Sequence, residues 1–159
     1  VPDVDVLILG AGLSGIGAAC HLELEGPGTT YAVLEARDTI GGTWDLFRYP
    51  GIRSDSDMFT LGYAFEPWLG AQAIADGPSI LEYIRTTART HGVERHITFG
   101  RRALSASWST PDACWTVEVE HVATGEREQI TCGFLWSNTG YYRYDQGYRP
   151  DLPGEADFG

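Results

Sequence analysis

An α/β fold built on a parallel sheet, with a three-stranded antiparallel meander as crossover, is predicted by three observations. The first is a buried strand, Val4 to Leu9, that runs straight into Gly10-Ala11-Gly12-Leu13-Ser14-Gly15 and then into a helix-forming stretch. Five of its six residues are apolar, which suits a parallel strand covered on both faces and so without an alternating solvent side. The second is a second apolar strand, Tyr31-Ala32-Val33-Leu34, closing on an acid, Glu35. The third is a change of period to two after Ala103, where apolar and polar residues alternate around two turns.

The glycines of the first turn divide the work of holding a dinucleotide. Gly10 permits the tight turn, Gly12 admits a pyrophosphate close to the backbone, and Gly15 lets the following helix pack close on the strand. The first helical turn then offers unpaired N–H groups and the positive end of its dipole to an anion. Leu13, Ile16, Cys20 and Leu24 form the expected buried stripe of that helix, which ends at Gly26-Pro27-Gly28. Glu35 stands 20 residues beyond Gly15, at the tip of the second strand, where a carboxylate accepts from ribose hydroxyls. A 2′-phosphate would be repelled by Glu35, although Arg37 stands nearby.

With 159 residues, the chain is one domain with material for a core. Its 43% hydrophobic and 21% charged residues are those of a globular protein. No apolar run approaches the roughly 20 residues of a membrane span, and no basic-then-apolar leader precedes the first strand, so a cytoplasmic location is expected. A net charge of −11 argues against nucleic acid as partner. Cys20, Cys114 and Cys132 are odd in number and lack metal-ligand spacing; they read as small hydrophobes in a reducing compartment.

Past Glu35 comes a long loop, 37–56, with Gly41-Gly42-Thr43-Trp44 and Arg48-Tyr49-Pro50-Gly51, charges of both signs at Arg48, Arg53 and Asp55, and a further acid, Asp57, just after it. Loops of this length in compact domains are often functional. The aromatics from Phe59 to Trp68 suit a short helix, a bend at Pro67 and core packing. Ser79-Ile80-Leu81-Glu82 reads as a capping box for a helix with Ile80, Ile84, Ala88 and His91 on one stripe, stopped by Gly92. His91 and His96 are expected at the surface or in loops, with no partner at catalytic or ligand spacing. The meander follows from Leu104 to Cys132 with turns at Thr110-Pro111-Asp112 and Thr124-Gly125, and Phe134-Leu135-Trp136 is expected as a separate short strand returning to the first sheet. A meander in that place suits an FAD domain of Rossmann type better than an NAD domain.

The run from Gly41 through Arg48-Tyr49-Pro50-Gly51 to Met58, together with Gln72 to Gly77 and Gly140 to Asp145, resembles class B flavoprotein monooxygenases. These are the Baeyer-Villiger and flavin-containing monooxygenases, and the likeness is greatest to their actinobacterial, ethionamide-activating branch. The resemblance implies FAD and NADPH, and insertion of one oxygen from O2 into a ketone, or its transfer to a sulfide or amine, by way of a flavin C4a-peroxide. It implies that Gly10, Gly12 and Gly15 hold the pyrophosphate and Glu35 the ribose. Gly42, Thr43 and Trp44 would line the flavin, the Ala103 backbone would meet the adenine, and Thr139 and Gly140 would border the cofactor. Asp55 would stand near the reactive edge beside Arg53, as an orienting and not an oxygen-transferring group.

Trp136-Ser137-Asn138 is bulkier than such a returning strand usually is. The family fingerprint Phe-x-Gly-x-x-x-His-x-x-x-Trp would begin at Phe158, and a second glycine motif for NADPH would follow. The expectation is therefore an N-terminal FAD-binding portion, residues 1–159, of a flavoprotein with two dinucleotide-binding domains, inactive by itself. A flavin-dependent NAD(P)H reductase, an N-hydroxylating monooxygenase and a noncatalytic flavin-binding module stay open as alternatives.

Overall fold

The computed structural model describes residues 1–158. Its elements are β1 (Val4–Leu9), α1 (Leu13–Glu25), β2 (Tyr31–Glu35), α2 (Thr43–Leu46), α3 (Met58–Leu61), α4 (Gly77–Thr90), β3 (Ile97–Phe99), β4 (Arg101–Ser109), β5 (Cys114–His121) and β6 (Arg127–Ser137), with short 3-10 turns at Val93–His96 and Glu155–Asp157. One six-stranded sheet runs in the order β3-β2-β1-β6-β5-β4. The pairs β3/β2, β2/β1 and β1/β6 are parallel, and β6/β5 and β5/β4 are antiparallel.

Two apolar clusters make this a three-layer molecule. On one face of the parallel strands, Val6, Ile8, Tyr31 and Val33 pack against Ile16, Ala19 and Cys20 of α1 and Ile80, Ile84 and Ala88 of α4. On the other, Leu7, Leu9 and Leu34 meet Val117, Val119 and Cys132 of the meander. Alternate residues of β1 thus serve opposite layers, which is why the strand reads as a continuous apolar run.

The structure differs from the sequence reading at several points. The third meander strand and the returning strand are one strand: Trp115 pairs with Cys132, and Val4 to Leu9 pair with Cys132 to Ser137. Gly133 hides this, because the residues facing the meander cluster shift from Ile130 and Cys132 to Leu135 across it. Leu24 is 50% exposed, so the stripe of α1 ends a turn early. The cap of α4 is Asp76, which accepts from the Ser79 N–H at 2.8 Å, with Pro78 in the first turn; Ser79 lies inside the helix. On β4 a bulge between Ala103 and Ser105 takes Leu104 out of the alternation and leaves it 39% exposed, while Trp108 lies opposite Trp115 near the far end of the strand and is 46% exposed. Both histidines are half-buried rather than at the open surface: His91 Nε2 lies 3.0 Å from Glu66, and His96 stacks on Tyr31 and reaches Glu23 at 3.1 Å.

Candidate functional site

The site is assembled around the end of β1. Gly10 takes φ +99°, and a Cβ there would meet the carbonyl oxygen of Asn138 at 2.6 Å, so the segment after β6 closes on this turn. A Cβ on Gly15 would stand 1.8 Å from the Gly10 carbonyl oxygen, so α1 leaves the strand end by a path open only to glycine there. Gly12 caps α1 with no side-chain hydrogen bond, which leaves the first-turn N–H groups available to an anion.

The glycine pair of the long loop docks on this turn. The Gly41 N–H donates to the Ala11 carbonyl at 3.0 Å. Gly42 takes φ +53°, and a Cβ on it would lie 3.0 Å from the Gly12 Cα. Two stretches of bare backbone therefore meet at the strand end, where a flat or anionic group can approach without side-chain obstruction.

Glu35 is buried at 8% exposure, and its carboxylate is fixed from two sides. The Ala11 N–H donates to Oε2 at 2.8 Å and the Arg37 N–H to Oε1 at 2.9 Å. Each carboxylate oxygen retains further acceptor capacity for a ribose hydroxyl. Ala103 lies half-buried on β4, an edge strand with one side of its backbone unpaired, and the Gly100 N–H donates to the Arg37 carbonyl at 3.0 Å, tying the start of β4 to the end of β2. The Asn138 N–H donates to the Leu9 carbonyl at 2.8 Å and Thr139 Cα lies under Gly10, so this segment meets the turn with backbone atoms and the bulk of Trp136 does not enter it. Gly140 takes φ +79° beside the Tyr144 hydroxyl, which lies 3.5 Å from Thr43 Oγ1. Trp44 packs half-buried on the helical-side core.

Arg53 and Asp55 are not joined. Both are exposed, and among the described residues no ion pair links them. Arg53 Nε reaches only the Gly51 carbonyl, at 3.5 Å, and the cap of α3 is Asp57, which accepts from the Thr60 N–H at 3.0 Å. The Tyr142 phenol is pushed up first by its hydrogen bond and charge coupling to Tyr141, with the Asp55 charge contributing.

Sequence reasoning missed Asp45. Its carboxylate, 1% exposed, receives the guanidiniums of Arg37 on Oδ2 and of Arg48 and Arg85 on Oδ1, the latter two at 3.0 Å each. Arg37 Nη1 also donates to the Gly42 carbonyl at 3.3 Å. The only local signal was an acid three residues before an arginine, since Arg37 and Arg85 come from other elements.

Fold and turn together define a Rossmann-like dinucleotide-binding domain with a meander crossover. Residues 8–76 match the family model described as an NAD(P)-binding Rossmann-like domain. Along 155 residues the chain is 54% identical to the FAD-containing monooxygenase EthA of Mycobacterium tuberculosis, covering 98% of this chain and 31% of that protein. To the putative FAD-containing monooxygenase MymA of the same organism it is 57% identical over 155 residues, again 98% of this chain and 31% of the relative. The chain thus spans about a third of the length of these relatives. Among solved structures it is similar to OTEMO in complex with FAD and NADP, with a TM-score of 0.77 and 31% identity over 99% of this chain and 29% of that one. It is likewise similar to cyclohexanone monooxygenase from Rhodococcus sp. Phi1 bound to NADP+, with a TM-score of 0.75 and 29% identity over 96% of this chain and 28% of that one.

Proposed function

We propose that this chain is the FAD-binding portion of an NADPH-dependent flavoprotein monooxygenase that delivers one oxygen atom from O2 to a small ketone, sulfide or amine. The observation that carries the reading is the meeting of Gly12 and Gly42 backbones at the turn to which the Glu35 carboxylate is bonded. It supplies the three things an adenine dinucleotide needs at one strand end: an uncapped helix N-terminus, a side-chain-free cleft and a fixed carboxylate. The names of the relatives and of the structural neighbours support FAD and NADP as the pair of cofactors.

The residues present fit FAD. Gly10, Gly12, Gly15 and the first turn of α1 would hold its pyrophosphate, Glu35 its ribose hydroxyls and the unpaired backbone of Ala103 its adenine. Gly42, Thr43 and Trp44 would line the flavin side, with Thr139 and Gly140 at the border. When bound, the flavin supplies hydride acceptance and oxygen activation, chemistry that no side chain carries. This chain's own residues bind and orient. Arg53 and Asp55, free of each other, are assigned to positioning the nicotinamide or its partner group at the flavin edge. NADPH is assigned chiefly to the part of the relatives that this chain does not span, so the 159-residue chain alone is expected to lack turnover.

Among the described residues no helix is long and apolar enough to cross a membrane. The cytoplasm is the proposed compartment, supported by three free cysteines. The test is the flavin itself: the full-length protein, purified without added cofactor and denatured, should release FAD at about one per chain by mass spectrometry. A flavin-free protein that binds NAD tightly at this turn would overturn the assignment.

A further inference from the structure

We infer that Asp45 is the residue that sets ribose specificity at the Glu35 end of the site, by holding Arg37 away from the 2′ position. The inference rests on the nucleotide reading of the turn proposed above and adds a residue to it. Arg37 follows the strand-end acid by two positions, in the neighbourhood where an arginine accommodates a 2′-phosphate in dinucleotide folds. Its guanidinium is planar and always charged, and binds phosphate through two parallel hydrogen bonds wherever it is free to do so. Here it is not free. Nη2 donates to Asp45 Oδ2 and Nη1 to the Gly42 carbonyl, and among the described residues no ion pair joins it to Glu35.

The division of the Asp45 carboxylate makes Arg37 the arginine that depends on it most simply. Oδ1 receives both Arg48 and Arg85, and Arg85 has a second partner in Thr39 Oγ1 at 2.9 Å. Oδ2 receives Arg37 alone among the arginines. In Asp45→Asn the amide oxygen goes to the side with two donors, and the amide NH2 then faces Arg37 donor to donor. Arg37 then keeps only its bond from Nη1 to the Gly42 carbonyl, at 3.3 Å, and its Nη2 is freed, while the shape of the residue-45 side chain is kept.

The experiment uses FAD-depleted full-length protein and follows displacement of FAD fluorescence by ADP-ribose and by 2′-phospho-ADP-ribose, so that a nicotinamide cofactor site elsewhere in the protein does not enter the readout. In the wild type, ADP-ribose should compete and its 2′-phosphorylated form should be weaker by about tenfold or more. Asp45→Asn should reduce that preference by about tenfold, and Asp45→Asn with Arg37→Gln should restore it. Arg37→Gln alone, which keeps Asp45 with two arginines and guards against a misfolded Asn variant, should leave the wild-type preference unchanged. An unchanged preference in folded Asp45→Asn, or a shift beyond about threefold in Arg37→Gln, overturns the inference alone. Failure of ADP-ribose to displace FAD from the wild type overturns the nucleotide reading of the turn and the inference with it.

Discussion

Gly12 and Gly42 face one another across the end of β1 so closely that a Cβ on Gly42 would stand 3.0 Å from the Gly12 Cα. The two residues come from different loops, and the crowding is one-sided: a Cβ on Gly12 would meet the Gly42 Cα only at 3.6 Å, an ordinary contact.

Gly42→Ala should therefore separate loop from turn. At φ +53° an alanine is strained in addition to being crowded, a combination worth about 1–3 kcal/mol. FAD affinity should fall by roughly one to two decades. Gly147→Ala, where a Cβ meets nothing within 4 Å, is the control that should change nothing. Equal flavin titrations for the two variants would refute the role given to the glycine contact.

Glu35→Gln should weaken both the cofactor and the fold. The carboxylate accepts from two backbone N–H groups, and an amide can satisfy one while presenting a donor to the other. Loss of a hydrogen bond to a charged group is worth about 1.5–3 kcal/mol, so the Kd for FAD should rise by about tenfold to a hundredfold. The apoprotein's melting temperature should drop as well. A normal apoprotein melt with a raised Kd would mean that Glu35 acts on the ribose without shaping the turn.

Asp55→Ala separates positioning from scaffolding. Because Asp57 caps α3 and Asp55 is exposed and unpaired with Arg53, removing the Asp55 carboxylate should leave stability within about 0.5 kcal/mol of wild type and FAD fully bound. NADPH-driven flavin reduction per bound FAD in the full-length protein should slow, as expected for a group that acts through orientation. Asp57→Ala should do the reverse, costing about 1 kcal/mol of stability with a normal reduction rate. Stopped-flow rates normalised to bound FAD, set beside thermal melts, decide between the two assignments.

Cys20 predicts an alkaline limit to stability. Burial pushes its thiol up to about 12, with the charges of Glu23 and Glu66 adding to the effect. Burial raises the phenols of Tyr31 and Tyr63 as well. A thiol raised in the folded state keeps its full contribution below the unfolded value of about 9 and loses it as pH climbs toward the folded value. Stability should therefore decline from about pH 9 upward, and Cys20→Ala should flatten the slope by at most about 1.4 kcal/mol per pH unit in that window. Denaturant midpoints measured from pH 8 to 11 check this, and parallel curves for the two proteins would count against it.

Much of the frame was legible because it is local. β1, α1 and β2 announce themselves by an unbroken apolar run, a glycine turn and an acid at a fixed distance, and the meander by its period of two. What escaped was set by distant partners. Ser79 and Glu82 have the spacing of a capping box, yet Asp76, before Gly77-Pro78, takes the cap of α4 because its side chain accepts from the Ser79 N–H. β3 is three residues long and carries no periodicity of its own. Arg53 and Asp55 are two positions apart in sequence, yet the backbone of Arg53 bridges to Asp76 and its guanidinium stays exposed. Asp45 gathers arginines from the end of β2, the end of α2 and the middle of α4, a convergence that no window of sequence displays.

The single long strand β6 has a consequence for how the molecule is made. Its pairing partner β1 begins 128 residues earlier, at Val4 opposite Cys132, and Asn138 then closes under Gly10. A growing polypeptide can form the β1-α1-β2 unit early, but the cradle for the nucleotide has no floor until Asn138 has left the ribosome. Such distant pairing makes closure of the sheet a late and slow event. Until then the meander-side face of β1 and β2, Leu7, Leu9 and Leu34, stands uncovered on the nascent chain, where chaperones and cofactor supply can determine whether synthesis yields a loaded protein or an aggregate.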